Sequence, residues 1–270
     1  MIAIVYREET RGALPLARQL QERLRQLGRA AMLVENSESG PGTLPVDTSI
    51  ILVLGGDGAM LGAVRLWAIH DLPDHVPVIG VNLGGLGFLT AFNPDELDLQ
   101  EVISGNMPTS SRMLLEVEVL KSDNSRYRFI ALNEAVVSKP ISAHLLNLEV
   151  LADQAHLTNL RADGVIVATP TGSSAYNLSA GGPICHPDVE CMLLTPVSSF
   201  NLSNRPLILP PYISVNVKMR DAGGILTCDG QVGTNLADDD VVTVCRATRK
   251  VRLGMTQDYF EILRRKLKWG

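Results

Sequence analysis

The first third of the chain alternates short apolar runs with stretches of helical period. Ile2-Ala3-Ile4-Val5-Tyr6 reads as a strand; Leu16, Leu20, Leu24 and Leu27 then share one face of a helix over residues 14 to 27, which Gly28 ends. Ala30 to Val34 reads as a second strand. Ser49 to Leu54 (SIILVL) reads as a third, with the unbroken apolar run of a strand buried on both faces. Ala59 to His70 is helical in period, and Val76 to Val81 gives a fourth strand. Strands separated by helices predict parallel pairing with right-handed crossovers. Asn36 to Asp47, rich in Ser, Gly and Pro, reads as a mobile surface loop.

From about residue 111 the pattern changes to alternation. Leu115 to Leu120 (LEVEVL) and Leu146 to Leu151 (LNLEVL) place apolar residues at every second position, as half-buried antiparallel strands do. Strand-like runs recur at 165–168, 191–195, 213–219 and 241–245. Asn93-Pro94 is expected to open a short helix to about Ser104, and Gly105 to Pro108 forms a junction. The tail from Thr256 to Trp269 is helical in period, with Arg264, Arg265, Lys266 and Lys268 near its C-terminal end, where the helix dipole favours cations. The prediction is an α/β domain over residues 1–105, a β-rich domain over 106–255, and a tail helix over 256–270 that packs back on the first domain.

Composition narrows the classes. With 270 residues, 46% hydrophobic and 20% charged, the chain can build one large or two modest cores. It has no apolar run of about 18 residues, so no membrane span is expected. MIAIVYREET lacks the basic flank of a signal peptide. Cys185, Cys191, Cys228 and Cys245 contain no C-x-x-C pair, which points to reduced cytoplasmic thiols rather than disulfides or zinc. A net charge of −5 argues against nucleic-acid binding.

Glycine is the uneven component: eight of 23 fall between Gly55 and Gly87. The third strand runs directly into Gly55-Gly56-Asp57-Gly58 and a helix follows, which is where open α/β sheets place ligands. Glycine amides and a helix N-terminus together form an anion-binding concavity. Asp57 is then a carboxylate among phosphate-binding amides, suited to a hydroxyl or a metal, although a tight turn with Asp57 capping the helix fits the same residues. The spacing is neither a P-loop nor G-x-G-x-x-G, since Leu61 stands where the third glycine belongs. A second glycine turn, Gly80 to Leu89, should lie beside the first, with Phe88 as a base-stacking aromatic or a core plug. A third segment, Arg161 to Ile184, is dense in hydroxyls and glycines; it suits a polar ligand loop, or a loop that satisfies its own turns.

Taken together, GGDG at 55–58, Asn133-Glu134 within ALNEAVV, ADGVIVATPTGSSAYNLSAGGPI, Gly84 to Leu89 and Cys228-Asp229-Gly230-Gln231 resemble the NAD kinase family. The motifs spread over residues 50 to 233. GGDG alone is shared with phosphofructokinases and lipid kinases; the TPTGSSAYNLSAGGP run with an upstream Asn-Glu pair is far more specific. The resemblance implies a Rossmann-like N-terminal α/β domain, a sandwich-like β-rich domain, and phosphorylation of NAD at the adenosine ribose 2′-hydroxyl by ATP or polyphosphate with Mg²⁺. Asp57 would be the proton acceptor, and Gly55, Gly56 and Gly58 the phosphate loop, with Gly58 also against NAD. Asn133 and Glu134 would hydrogen-bond the dinucleotide, while Phe88, Ala175 and Tyr176 resemble the adenine pocket. Ser174, Ala175, Tyr176, Asn177, Leu178 and Ser179 would line the NAD site. Arg161, Asp163, His144 and Gln231 match further contact positions, Asp163 one that reaches a neighbouring subunit's site. The resemblance implies a homodimer or homotetramer in the cytoplasm, and no protein metal ligand is assigned because the family's ion rides on the nucleotide.

Two positions depart from the family pattern. Ala59 replaces the usual Thr or Ser after GGDG, which bears on donor affinity and on the choice between ATP and polyphosphate. Gly62 stands where some members carry a basic residue. Other readings are a GGDG-bearing lipid or sugar kinase, for which the Tyr176 segment has no role, and a dinucleotide-binding regulator without efficient transfer, which Ala59 motivates. A serine hydrolase is disfavoured because no G-x-S-x-G surrounds Ser173 or Ser174.

Overall fold

The computed structural model describes residues 1–36, 42–85, 87–90, 92–140, 144–201, 203–220, 223–255 and 258–269. Residues 37–41 of the expected Asn36–Asp47 loop, Leu86 of the second glycine turn, and residues 256, 257 and 270 of the expected tail helix lie outside that set. The chain divides into two compact units: Met1–Arg112 with Lys250–Gly270, and Met113–Arg249.

The first unit opens with β1 (Ile2–Tyr6), α1 (Ala13–Gln26), β2 (Ala31–Glu35), β3 (Ile50–Leu54), α2 (Asp57–Ile69) and β4 (Pro77–Val81). The strands are parallel in the order β2-β1-β3-β4, with Leu54 opposite Val81 at the C-terminal edge. β3 is buried at all five positions because layers cover both its faces. Leu52 and Leu54 join Leu20 and Leu24 of α1 in one core, and α2 packs on β3 and β4.

The single helix expected from Asn93 to Ser104 is instead two pieces. Asn93 and Glu96 form a capping box around a 3₁₀ turn, Pro94–Glu96, and the backbone at Leu97 and Asp98 is extended. Asp98 then accepts from the Gln100 amide at 2.8 Å and starts α3 (Leu99–Ser104), which Gly105 ends in the left-handed region. Two N-capping residues five positions apart produce two starts.

The second unit holds β5 (Thr109–Leu120), whose first residues belong to unit one, β6 (Arg126–Ala131), β7 (Glu134–Ser138), β8 (Leu146–Ala152), β9 (Ala155–Ala162) and β10 (Gly164–Ala168). It continues through α4 (Tyr176–Ser179), β11 (Met192–Val197), β12 (Leu207–Leu209), β13 (Val215–Met219), β14 (Gly224–Cys228), β15 (Val232–Leu236) and most of β16 (Val241–Gly254). One sheet runs β12-β11-β10-β7-β14-β15. The other includes β16, β13, β8 and β9, with β5 and β6 beside β16. Alternate residues of both sheets, among them Leu115, Val137, Leu148, Val167, Val217 and Leu226, form one buried core, the pattern of a sandwich.

The last turn of β16 returns to unit one, where Arg252 and Leu253 pair in parallel with Pro77 and Val78 of β4. There α5 (Tyr259–Leu267) buries Ile262 and Leu263 and sets Lys266 Nζ 5.7 Å from the centre of the Phe88 ring.

Asp240, fully buried before β16, ties unit two together. Its carboxylate accepts from the Ala237 amide (2.7 Å), the Ser122 amide (2.8 Å) and Lys121 Nζ (3.0 Å). Burial alone would raise its pKa, but these amides and the Lys121 charge outweigh it and hold the carboxyl below the usual carboxylate value. Its contribution is therefore complete above the unfolded-state pKa and fades as pH falls through the lower folded-state value. Asp240→Asn should cost about 2–4 kcal/mol at neutral pH in denaturant unfolding, with the gap to wild type closing under acid conditions.

Candidate functional site

At the C-terminal edge of unit one the two glycine turns meet. β3 enters the first at Gly55, whose φ of +151° few side chains adopt and whose added Cβ would lie 2.8 Å from the Ala59 methyl. Gly56 is the N-cap of α2 and makes no side-chain cap, and Asp57 occupies the first turn, where the dipole favours a carboxylate. The Asp57 side chain turns across to the second glycine turn. Oδ2 accepts from the Phe88 amide at 2.8 Å and Oδ1 from the Leu89 amide at 2.9 Å. Asp57 is therefore not a helix cap; it holds one glycine turn against the other.

Gly87 is what permits this approach, because a Cβ there would collide with Asp57 Oδ1 and Thr90 Oγ1. The turn is folded from within by Asn82, which accepts from the Gly84 amide at 2.9 Å and donates to the Gly85 carbonyl. The departure at position 62 also has a local reason. A Cβ on Gly62 would meet the side-chain amide nitrogen of buried Asn36, so a larger residue on α2 here requires that side chain to move. Gly56 and Gly58 are exposed, and Phe88 is half-buried beneath Lys266.

In unit two, the ends of three neighbouring strands assemble the other predicted residues. Glu134 starts β7 and Asn133 directly precedes it; Glu134 pairs with Ala168 at the end of β10 and Ala135 with Cys228 at the end of β14. Thr169 bridges the first two ends: its amide donates to the Asn133 carbonyl (2.8 Å) and its hydroxyl to the Leu132 carbonyl (2.6 Å). Gly172 packs so closely on Asn133 that a Cβ would overlap its backbone. Asn133 Oδ1 and Glu134 Oε2 are buried and have no hydrogen-bond partner among the described residues. Burial, and then the charge of Asp229, push the Glu134 carboxyl up to about 8.

Asp229 enters the sequence reading only as part of the Cys228-Asp229-Gly230-Gln231 motif, with no role of its own. It occupies the first corner of a tight turn between β14 and β15, with φ +53° followed by Gly230 at +63° and a Gln231 amide bond to the Cys228 carbonyl at 3.0 Å. Its carboxylate accepts from three successive amides, Leu132 (2.8 Å), Asn133 (2.7 Å) and Glu134 (3.1 Å). The available signal was Asp-Gly between two apolar alternating runs, a hairpin signature that also places a carboxylate.

The hydroxyl-rich segment is more ordered than a ligand loop alone requires. Thr171–Ser174 is a 3₁₀ turn and α4 follows. Ser173 donates to the Pro170 carbonyl (2.6 Å) and accepts from the Cys185 amide (2.9 Å). Asn177, expected to line the NAD site, is 0% exposed: its amide donates to the Ser173 and Pro183 carbonyls and accepts from the Thr195 hydroxyl. Its place is under the segment. Tyr176 and Ser179 are exposed, Ser174, Ala175 and Leu178 partly so, and Gln231 is half-buried at the β14–β15 turn.

Arg161, Asp163 and His144 do not join this cluster. Asp163 precedes β10, five residues and roughly 16 Å of strand from Ala168. It pairs with Lys139 at 3.1 Å, while the Arg161 guanidinium lies 5.3 Å from the centre of the Phe200 ring. Exposed His144 is two residues before Leu146, whose partner is Ala162.

A strand that ends in glycines and hands over to a helix is the arrangement by which α/β units of the nucleotide-binding class receive phosphate groups, and β3, Gly55, Gly56 and α2 have that arrangement. Comparison with known proteins narrows the class. The model of the ATP-NAD kinase N-terminal domain matches residues 37–106 and that of the ATP-NAD kinase C-terminal domain residues 132–255. The chain is 39% identical to an NAD kinase of Syntrophobacter fumaroxidans across 100% of this chain and 98% of the relative. An NAD kinase of Geobacter sulfurreducens is 40% identical over 97% and 90%. Among solved structures, yeast NADH kinase complexed with NADH has a TM-score of 0.84 at 28% identity, covering 100% of this chain and 88% of that one. An NAD kinase from Archaeoglobus fulgidus in complex with ATP has a TM-score of 0.79 at 25% identity, covering 99% of each. The chain belongs to the NAD kinase family.

Gly87→Ala tests the contact between the two glycine turns. The added methyl should displace Asp57 or residues 88–90, lowering turnover by about tenfold or more in a kinase assay. Thermal melting should report only a modest loss of stability.

Proposed function

We propose that Asp57 is the proton acceptor of the family's reaction in this chain. The chain phosphorylates NAD with ATP, and in this reading the γ-phosphoryl group goes to the 2′-hydroxyl of the adenosine ribose. The observation that carries the reading is the Asp57 carboxylate, held by the Phe88 and Leu89 amides at the end of β3. Each oxygen retains a lone pair after accepting one amide, so the carboxylate can still receive a hydroxyl. A ribose hydroxyl is far less acidic than a carboxylic acid, so Asp57 does not form an alkoxide in advance. It orients the hydroxyl and takes its proton late, in a loose transition state.

The exposed amides at Gly56 and Gly58 and the N-terminus of α2 face the charge that develops on the transferred group. Mg²⁺ is the proposed cofactor. One carboxylate, Asp57, beside the amides of the glycine turns would suit an ion that arrives on ATP. That ion, when bound, neutralises charge on the donor phosphates. Polyphosphate is the alternative donor, because Ala59 offers no hydroxyl to select between the two.

Unit two then supplies the dinucleotide contacts. The buried, unpartnered oxygens of Asn133 and Glu134 suit ribose hydroxyls, Tyr176 with Ala175 offers a face for adenine, and Ser174, Leu178, Ser179 and Gln231 present further surface. Asn177 contributes by holding that segment from below. The separate placement of Arg161, Asp163 and His144 suits a role toward a second copy, in a homodimer or homotetramer. Four free thiols suit a reducing cytoplasm, and among the described residues no helix is long and apolar enough to cross a membrane.

Purified protein incubated with NAD, ATP and Mg²⁺ should form NADP, followed with an NADP-specific dehydrogenase. Asp57→Asn should cut turnover by about a hundredfold or more, with NAD affinity changing by less than about fivefold. Turnover within tenfold of wild type would remove Asp57 from the chemistry; dinucleotide binding without any NADP would make the chain a regulator.

A further inference from the structure

The half-buried Asp229 carboxylate points at backbone rather than at open solvent, and its neighbour is the one strongly perturbed acid of unit two's site. Resting on the reading of Asn133 and Glu134 as dinucleotide contacts, we propose that Asp229 is a positioning residue: it anchors the Asn133–Glu134 backbone through three amides and makes Glu134 present an O–H donor, rather than a carboxylate, to the ribose hydroxyls of NAD.

The anchoring half follows from geometry. Leu132, Asn133 and Glu134 lie between β6 and the body of β7, where no ladder takes all three amides, and Asp229 accepts them at 2.7 to 3.1 Å. The Asp229 amide donates in return to the Glu134 carbonyl at 2.9 Å. Thr169 fixes the two preceding carbonyls from the β10 side. The backbone that carries both side chains is thus held from two neighbouring strands, while their oxygens Asn133 Oδ1 and Glu134 Oε2 stay buried and unpartnered.

The protonation half follows from the surroundings of Glu134. The titratable groups against it are Asp229 on the β14–β15 turn and the Cys228 thiol on β14, itself pushed up to about 12 by burial and by the Asp229 and Glu134 charges. On the β10 side Glu134 faces Ala168 and Thr169, neither titratable. With burial and Asp229 both acting against the charge, Glu134 is mostly neutral at pH 7. A neutral carboxyl both donates and accepts, matching a ribose hydroxyl that does the same, and it adds no negative charge near a dinucleotide's pyrophosphate. An ionised Glu134 would instead repel that pyrophosphate and lack the donor.

The test is the pH dependence of KM for NAD at saturating ATP, for wild type, Asp229→Asn and Glu134→Gln. Asn accepts left-handed backbone, so the turn is preserved while the charge is removed. In wild type KM for NAD should be flat near pH 7 and rise toward tenfold per unit above about 8, as Glu134 ionises. Asp229→Asn should raise KM for NAD about tenfold at pH 7 and move the break to lower pH, with kcat and KM for ATP within about twofold. Glu134→Gln should lose the break. A wild-type KM that falls above pH 8 would overturn the proposal by showing a working carboxylate. So would an Asp229→Asn enzyme that only melts earlier, with KM and break unmoved while Glu134→Gln abolishes the break. If Glu134→Gln changes neither KM nor its pH profile, the underlying assignment of Glu134 to the dinucleotide fails instead.

Discussion

Backbone amides that leave a sheet must find acceptors, and in this protein aspartate carboxylates provide them at the places that matter. Asp57 takes the Phe88 and Leu89 amides, Asp229 those of Leu132, Asn133 and Glu134, and Asp240 those of Ser122 and Ala237. Such charge-assisted bonds contribute about 1.5–3 kcal/mol each, more than neutral ones, and leave few alternative conformations for the loop that donates them. The loops can therefore be glycine-rich, and open to ligands, without being slack.

The polar groups sort by whether they are satisfied. Ser173, Asn177 and Thr169 are buried with their hydrogen bonds made inside the fold, and they support the segments that carry Tyr176 and Asn133. Asn133 Oδ1 and Glu134 Oε2 are buried with none made. Leaving such groups unpaired is costly, about 1–3 kcal/mol each, unless a ligand completes them. A net charge of −5 is compatible with a family that acts on NAD and ATP, because oriented backbone amides can favour an anion locally without a basic surface.

The parallel layer was legible because each element announced itself by period. SIILVL running into GGDG and then a helical stretch located the strand, the turn and the helix at once. Asp57's own contacts were not legible, since its partners are 31 and 32 residues away and are amides, which carry no signature in the sequence. Asn177 shows another limit: the sequence placed it in a hydroxyl-rich run, but not the hydrogen bonds its buried amide makes to Ser173, Pro183 and Thr195. Arg161 and Asp163 sat near the Tyr176 segment in sequence, yet a strand's length separates the two ends of β10. Helix starts were ambiguous where two capping residues competed, as at Asn93 and Asp98. The strand pattern placed residues on faces; it could not say which turn of one hairpin would reach the start of another strand.

β16 gives the molecule an order of assembly. The outer edge of the parallel layer is β4, and part of its ladder is supplied by Arg252 and Leu253, near the end of the chain. During synthesis the first 112 residues emerge while that partner does not yet exist; at about 5–20 residues per second it follows some 7–30 seconds later. Through that interval the nascent layer carries an unpaired strand edge, the feature that invites pairing with the wrong chain. The β4 edge gains this pairing only once Arg252 and Leu253 have followed the residues of the sandwich out of the ribosome.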